Sequence, residues 1–197
     1  MKEGRMPFLD HLRELRRRII ICALAILFGF LLAWSLHRSL FGWLMAPYEA
    51  AVQAIPEPLH QALLSQVPGS GVAASPESLP ILQYKSLIEP FFVYLKTALL
   101  AALFLSIPVV FWQIWAFLAP GLYARERRLA VPFVIFTSLF FLLGAAFCRY
   151  VVMEPACGVL LAIGARNTEP LIMMQEYFGL MSRFLLVFGV VFELPVF

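Results

Sequence analysis

Two carboxylates in this chain stand inside runs of arginine, and carboxylate with guanidinium is the first chemistry that the residues offer. Glu14 lies among Arg13, Arg16, Arg17 and Arg18, and Glu126 lies among Arg125, Arg127 and Arg128. Two ionised carboxylates at one interface can bind arginines of another chain in bidentate fashion. The cations around them favour the ionised form of both acids. A plainer account is equally open. Glu14 can pair with Arg18 at i, i+4, worth about 0.2–0.5 kcal/mol on an exposed helix, and Glu126 can simply moderate its neighbours' repulsion. Residue types alone do not separate the two accounts.

Glu193 is a different kind of acid. It sits in FLLVFGVVFELPVF with no partner close in sequence, and a carboxylate inside an apolar span is a functional candidate by default. An ion-coupled small-solute carrier or channel would use Glu193 as its ion site, although the internal repeat of such carriers is not seen. The alternative is that Glu193 lies near the headgroups, if the span ends at Phe197. Gln113, also flanked by apolar residues, reads as a group for an interhelical hydrogen bond. There is no GxxxxGK[ST] loop, GxSxG elbow or HExxH helix. His11, His37 and His60 stand apart, and Cys22, Cys148 and Cys157 form no CxxC pair. No catalytic residue, no metal site and no cofactor is expected, so the chain does not read as an enzyme.

These groups have to be held by membrane-spanning helices. Of the 197 residues, 62% are hydrophobic and 14% charged, where soluble domains carry roughly a quarter charged residues. The composition predicts an all-α, polytopic transmembrane helical bundle in one integral membrane domain. Residues 1–18 form an amphipathic helix: Phe8, Leu12, Leu15 and Ile19 line one face, opposite Asp10, Arg13, Glu14 and Arg17. Residues 19–36 are span one. Residues 37–86, punctuated by Pro47, Pro56, Pro58, Pro68, Pro76 and Pro80, read as a long outer loop with one helix-like piece at 59–67. Span two covers 87–119, tilted, kinked at Pro108 or broken before Pro120, with Glu89 and Lys96 interfacial at its start. A charged hinge follows at 120–128. Span three covers 129–149, with Arg149 and Tyr150 as its polar stop. An outer loop covers 150–175, and 176–197 is a fourth span that ends without a polar flank, as if cut or continued in a longer protein. Arginine and lysine crowd the N-terminus and the hinge. The positive-inside rule therefore puts both in the cytoplasm.

FLDHLRELRRRII at Phe8–Ile20, Ala46-Pro47, PVVFWQIWAFLAPGLYARERR at Pro108–Arg128 and FELPV at Phe192–Val196 resemble the TatC family, the multi-spanning core of the twin-arginine protein translocase. The Phe147–Tyr150 region fits the end of that family's third span, and the 41–84 loop matches less well. The resemblance implies a receptor for signal peptides with paired arginines and a translocase that exports folded proteins, driven by the proton-motive force. It implies that Glu14 and Glu126 recognise the arginine pair, with Arg16, Phe117 and Arg127 supporting them. It places Pro47 in the first outer loop, Pro120 in the hinge and Glu193 as the polar residue of the fourth span. It implies six spans in the full family member, both termini inside, and an oligomer in the bacterial cytoplasmic (inner) membrane. Its partners would be single-span TatA- and TatB-type subunits and folded cargo, in contact with the lipid bilayer; no nucleic acid is expected.

Overall fold

The computed structural model describes residues 8–54, 82, 85–118, 130–167 and 173–195. Six α-helices follow one another among these residues. They are α1 (Phe8–Ser35), α2 (His37–Gln53), α3 (Glu89–Leu118), α4 (Ala130–Phe147), α5 (Met153–Asn167) and α6 (Met174–Glu193). A single π turn, Cys148–Val152, joins α4 to α5 without interrupting the helical path. Among the described residues, four stretches are long and apolar enough to cross a membrane: His11–Ser35, Glu89–Leu118, Val131–Ile163 and Met174–Glu193. Leu24, Leu27, Phe28 and Leu31 on α1 and Ile135 and Leu139 on α4 are exposed. Apolar surface on that scale has to be covered by lipid or protein.

The spanning helices run up and down. α1 lies along α3, and α4 packs between α3 and α6. Close approach of α4 and α6 depends on two glycines. A Cβ at Gly144 would lie 2.5 Å from the Phe188 carbonyl oxygen, and one at Gly189 would lie 2.7 Å from the Phe141 ring. Backbones can then meet in the apolar phase, where packing and not the hydrophobic effect drives helix association. The buried core gathers toward the end of the bundle away from the N-terminus, around Leu44, Tyr48, Val52, Val93, Met153, Tyr177, Phe178 and Met181.

Two features depart from the loops read in the sequence. The stretch 37–86 opens with a 17-residue helix, α2, whose Leu44, Pro47, Tyr48, Ala51 and Val52 are buried. Pro47 lies inside this helix, where a proline normally costs about 3 kcal/mol because a carbonyl one turn back loses its donor. That carbonyl belongs to Trp43, and it is not left bare. The Arg149 guanidinium donates to Trp43 O from Nε at 3.0 Å and from Nη2 at 2.6 Å. Burial pushes the neighbouring Tyr48 phenol up to about 12, so it stays neutral. The helix-like piece expected at 59–67 lies outside the described residues.

The second departure has the same cause. Arg149 was expected to end span three, yet the helix continues through the π turn into α5 as far as Asn167. The cation does not need water there. It is buried, bonded to Trp43 O, and its guanidinium carbon lies 5.0 Å from the Trp43 ring centre and 5.3 Å from that of Tyr150. Arg149 thus fastens α2 to the α4–α5 junction. Arg149→Leu strands the Trp43 carbonyl and is expected to lower stability by about 1.5–3 kcal/mol. Adding Pro47→Ala restores a donor within the helix, so the double variant should recover part of that loss. Thermal unfolding checks it, and equal losses in the single and double variants would refute the pairing.

At the same end, the Glu89 carboxylate bridges α3 and α6. Oε2 accepts from the Lys85 backbone N–H at 2.8 Å, and Oε1 accepts from the Gln175 N–H in the first turn of α6 at 3.1 Å. Glu89, at the first residue of α3, is buried and caps α6 from a neighbouring helix.

Candidate functional site

The opposite end of the bundle carries the acid–arginine chemistry. Here α1 begins, α3 ends and α4 starts, with Trp115 of α3 and Phe133 of α4 in ring contact at 5.0 Å. Glu14 sits on the side of α1 that faces α3. Its Oε1 accepts from Arg18 Nε at 3.1 Å and also from Arg18 Nη2. Arg18 Nη1 reaches across to α3 and donates to Gln113 Oε1 at 3.3 Å. One turn toward each helix terminus, His11 stacks on Phe117 with ring centres 4.4 Å apart. The side chains of Glu14 and Arg18 remain 24% and 20% exposed, so solvent still reaches the pair.

The sequence-predicted residues are placed as follows. Glu14, Gln113 and Phe117 come together at the α1–α3 junction. Arg16 is exposed on α1, beside them in sequence but in none of these contacts. Glu126, Arg127 and Pro120 lie outside the described residues, in the segment that joins the end of α3 to the start of α4. Pro47 is buried in α2 at the far end of the bundle.

His11 joins this site without a signal in the sequence, and Arg18, named from the sequence only as a pairing partner of Glu14, joins it too. The signal for Arg18 was there, because its i, i+4 spacing from Glu14 is the plain account, and the structure realises that pair. What spacing could not disclose is that Arg18 is shared with Gln113 of another helix. Chemically, the arrangement is a carboxylate already holding one guanidinium, with an amide oxygen and an aromatic ring beside it.

Glu193 is apart from this cluster. It is 6% exposed at the last turn of α6, and neither carboxylate oxygen has a hydrogen-bond partner. It is turned toward the α4 backbone at Phe141, without a hydrogen bond of normal geometry. Phe141 lies three turns into α4, roughly 16 Å along the helix from its start at Ala130. Glu193 therefore lies level with the middle of a spanning helix rather than with its end. Among the described residues, no group of three His, Cys, Asp or Glu side chains comes together to hold a metal ion.

Comparison with known proteins covers nearly all of this arrangement. The profile of the family described as Sec-independent protein translocase protein (TatC) matches residues 10–197. The TatC protein of Magnetococcus marinus is 36% identical over 194 residues, covering 98% of this chain and 63% of that protein. That of Koribacter versatilis is 37% identical over 191 residues, covering 97% of this chain and 62% of that protein. A crystal structure described as the twin arginine translocase receptor TatC superposes with a TM-score of 0.73 at 28% identity, over 94% of this chain and 72% of the solved one. The chain thus spans less than two thirds of the length of these curated relatives.

Proposed function

The chain belongs to the TatC family of Sec-independent protein translocase proteins, and from that premise we propose that it is a receptor for twin-arginine signal peptides. In this reading Glu14 and Glu126 each take one guanidinium of the peptide, at the cytoplasmic end of the bundle. The observation that carries the proposal is the Glu14–Arg18–Gln113 cluster. The carboxylate already binds a guanidinium within the chain, so its geometry suits a second one arriving from outside. An incoming arginine exchanges with Arg18, whose charge Gln113 then helps to hold. Phe117 supplies an aromatic wall, and Arg16 and Arg127 support recognition of the arginine pair. That α3 ends and α4 begins at the same end of the bundle as Glu14 supports this reading.

The protein so read spans the bacterial cytoplasmic membrane with its N-terminus inside. It works as an oligomer with TatA- and TatB-type single-span subunits and passes folded cargo at the expense of the proton-motive force. Glu193, buried without a partner, serves this transport role as a polar contact within the membrane. A photoreactive residue at Phe117 tests the receptor reading. It is expected to crosslink a signal peptide with its arginine pair intact, with the yield falling at least about tenfold when both arginines become lysines. Equal yields with the two peptides would defeat the reading.

A further inference from the structure

A groove of about 700 Å³ opens between α3, α5 and α6 at the end of the bundle away from Glu14. Its lining combines Lys85, Lys96 and Arg183 with apolar wall residues, among them Leu160, Leu161 and Leu180. The acids on its rim are already engaged. Glu89 accepts two backbone N–H groups, and Glu176 faces Lys85 with Nζ–Oε1 at 3.9 Å. Lys96 and Arg183 have no ion-pair or hydrogen-bond partner among the described residues.

Both cations belong to stretches that cross the membrane. Lys96 lies roughly 10 Å along α3 from its start at Glu89, and Arg183 roughly 14 Å along α6 from Met174. A cation in such an apolar stretch has to snorkel or find an anion. These two do so into one groove, from two different helices. Three cations and two carboxylates line the groove, which leaves one positive charge over. A single phosphodiester balances it, and the leucine walls below suit an acyl chain.

We propose that this groove binds an anionic phospholipid, its phosphate held by Lys96 and Arg183 and one acyl chain lying along Leu160, Leu161 and Leu180. The guanidinium takes two phosphate oxygens in parallel, and the ammonium acts as a point charge beside it. Lys85, at the mouth, stays with Glu176 and contacts the headgroup only from its rim. The site is independent of the signal-peptide reading, because it requires only that α3 and α6 span a bilayer.

The test uses the purified, delipidated protein in neutral detergent, titrated with phosphatidylglycerol, phosphatidylcholine or inorganic phosphate. Native mass spectrometry counts bound lipid and thermal unfolding reads its effect. One phosphatidylglycerol is expected to be retained per chain and to raise the unfolding midpoint by several degrees, with phosphatidylcholine and inorganic phosphate giving neither. Lys96→Gln with Arg183→Gln should cut retention at least about tenfold. The charge-keeping pair Lys96→Arg with Arg183→Lys should restore it and serves as the reference if the neutral pair folds poorly. Equal retention of both lipids, equal retention by wild type and the neutral pair, failure of the charge-keeping pair to retain lipid, or the same shift from inorganic phosphate alone would each overturn the proposal.

Discussion

Glutamine at both Glu14 and Glu126 is expected to weaken binding of a twin-arginine signal peptide at least about 100-fold while the protein still inserts in the membrane at normal abundance. A hydrogen bond to a charged group is worth about 1.5–3 kcal/mol net, and in the receptor reading each acid takes one guanidinium. Two such losses come to about 3–6 kcal/mol, where 1.4 kcal/mol is tenfold. The lower end applies here. Glu14 is partly solvated and already holds Arg18, so an incoming arginine replaces one charged contact instead of creating one from nothing. Glutamine keeps the size and the hydrogen-bonding oxygen of the side chain but removes the charge, so packing of α1 on α3 through His11 and Phe117 should survive. Each single variant should lose roughly tenfold. Titration of labelled peptide into detergent-solubilised protein gives the constants, and normal binding by the double variant would remove the basis of the receptor reading.

The second large effect concerns Glu193 and separates stability from function. A buried carboxylate with both oxygens unpartnered is a burden on the fold. On insertion scales an acidic or basic residue at mid-span costs roughly 2.5–3.5 kcal/mol. Glu193→Leu fills the same space without that cost, so the midpoint of thermal unfolding should rise by roughly 5–14 °C. If Glu193 has the proposed transport role, export of a twin-arginine substrate in cells should at the same time fall to background. The two readouts move in opposite directions. A leucine variant that exports normally removes any transport role for Glu193, and one that unfolds earlier shows that the carboxylate stabilises the bundle.

Much of this architecture was legible in the residues, for physical reasons that can be named. Spanning helices announce themselves because nothing except a long apolar run survives in the hydrocarbon phase. Glu14 and Arg18 announce themselves because i, i+4 neighbours share a helix face. What could not be read locally are satisfactions that come from far along the chain. Pro47 and its fellow prolines argued for a loop at 37–86, because the donor that relieves Trp43 belongs to Arg149, more than a hundred residues away. Arg149 argued for the end of a span, because an isolated arginine is read as solvated until its carbonyl and aromatic partners are known. Gln113 was read as an interhelical hydrogen-bonding group without a named partner, and that partner is Arg18 of α1. The depth of Glu193 was open as well. It depends on the register of α6 against α4, which Gly144 and Gly189 set by admitting close backbone contact.

The central claim is that Glu14 and Glu126 act on the guanidinium pair of a signal peptide, and a double-mutant cycle tests it most directly. Affinities are measured for wild type and the Glu14→Gln, Glu126→Gln double variant, each with the twin-arginine peptide and with the same peptide carrying two glutamines. If the acids hold the arginines, the two changes are strongly non-additive, with a coupling of about 3 kcal/mol or more, roughly 100-fold in affinity. Additivity within about 0.5 kcal/mol would mean that the arginines are bound elsewhere.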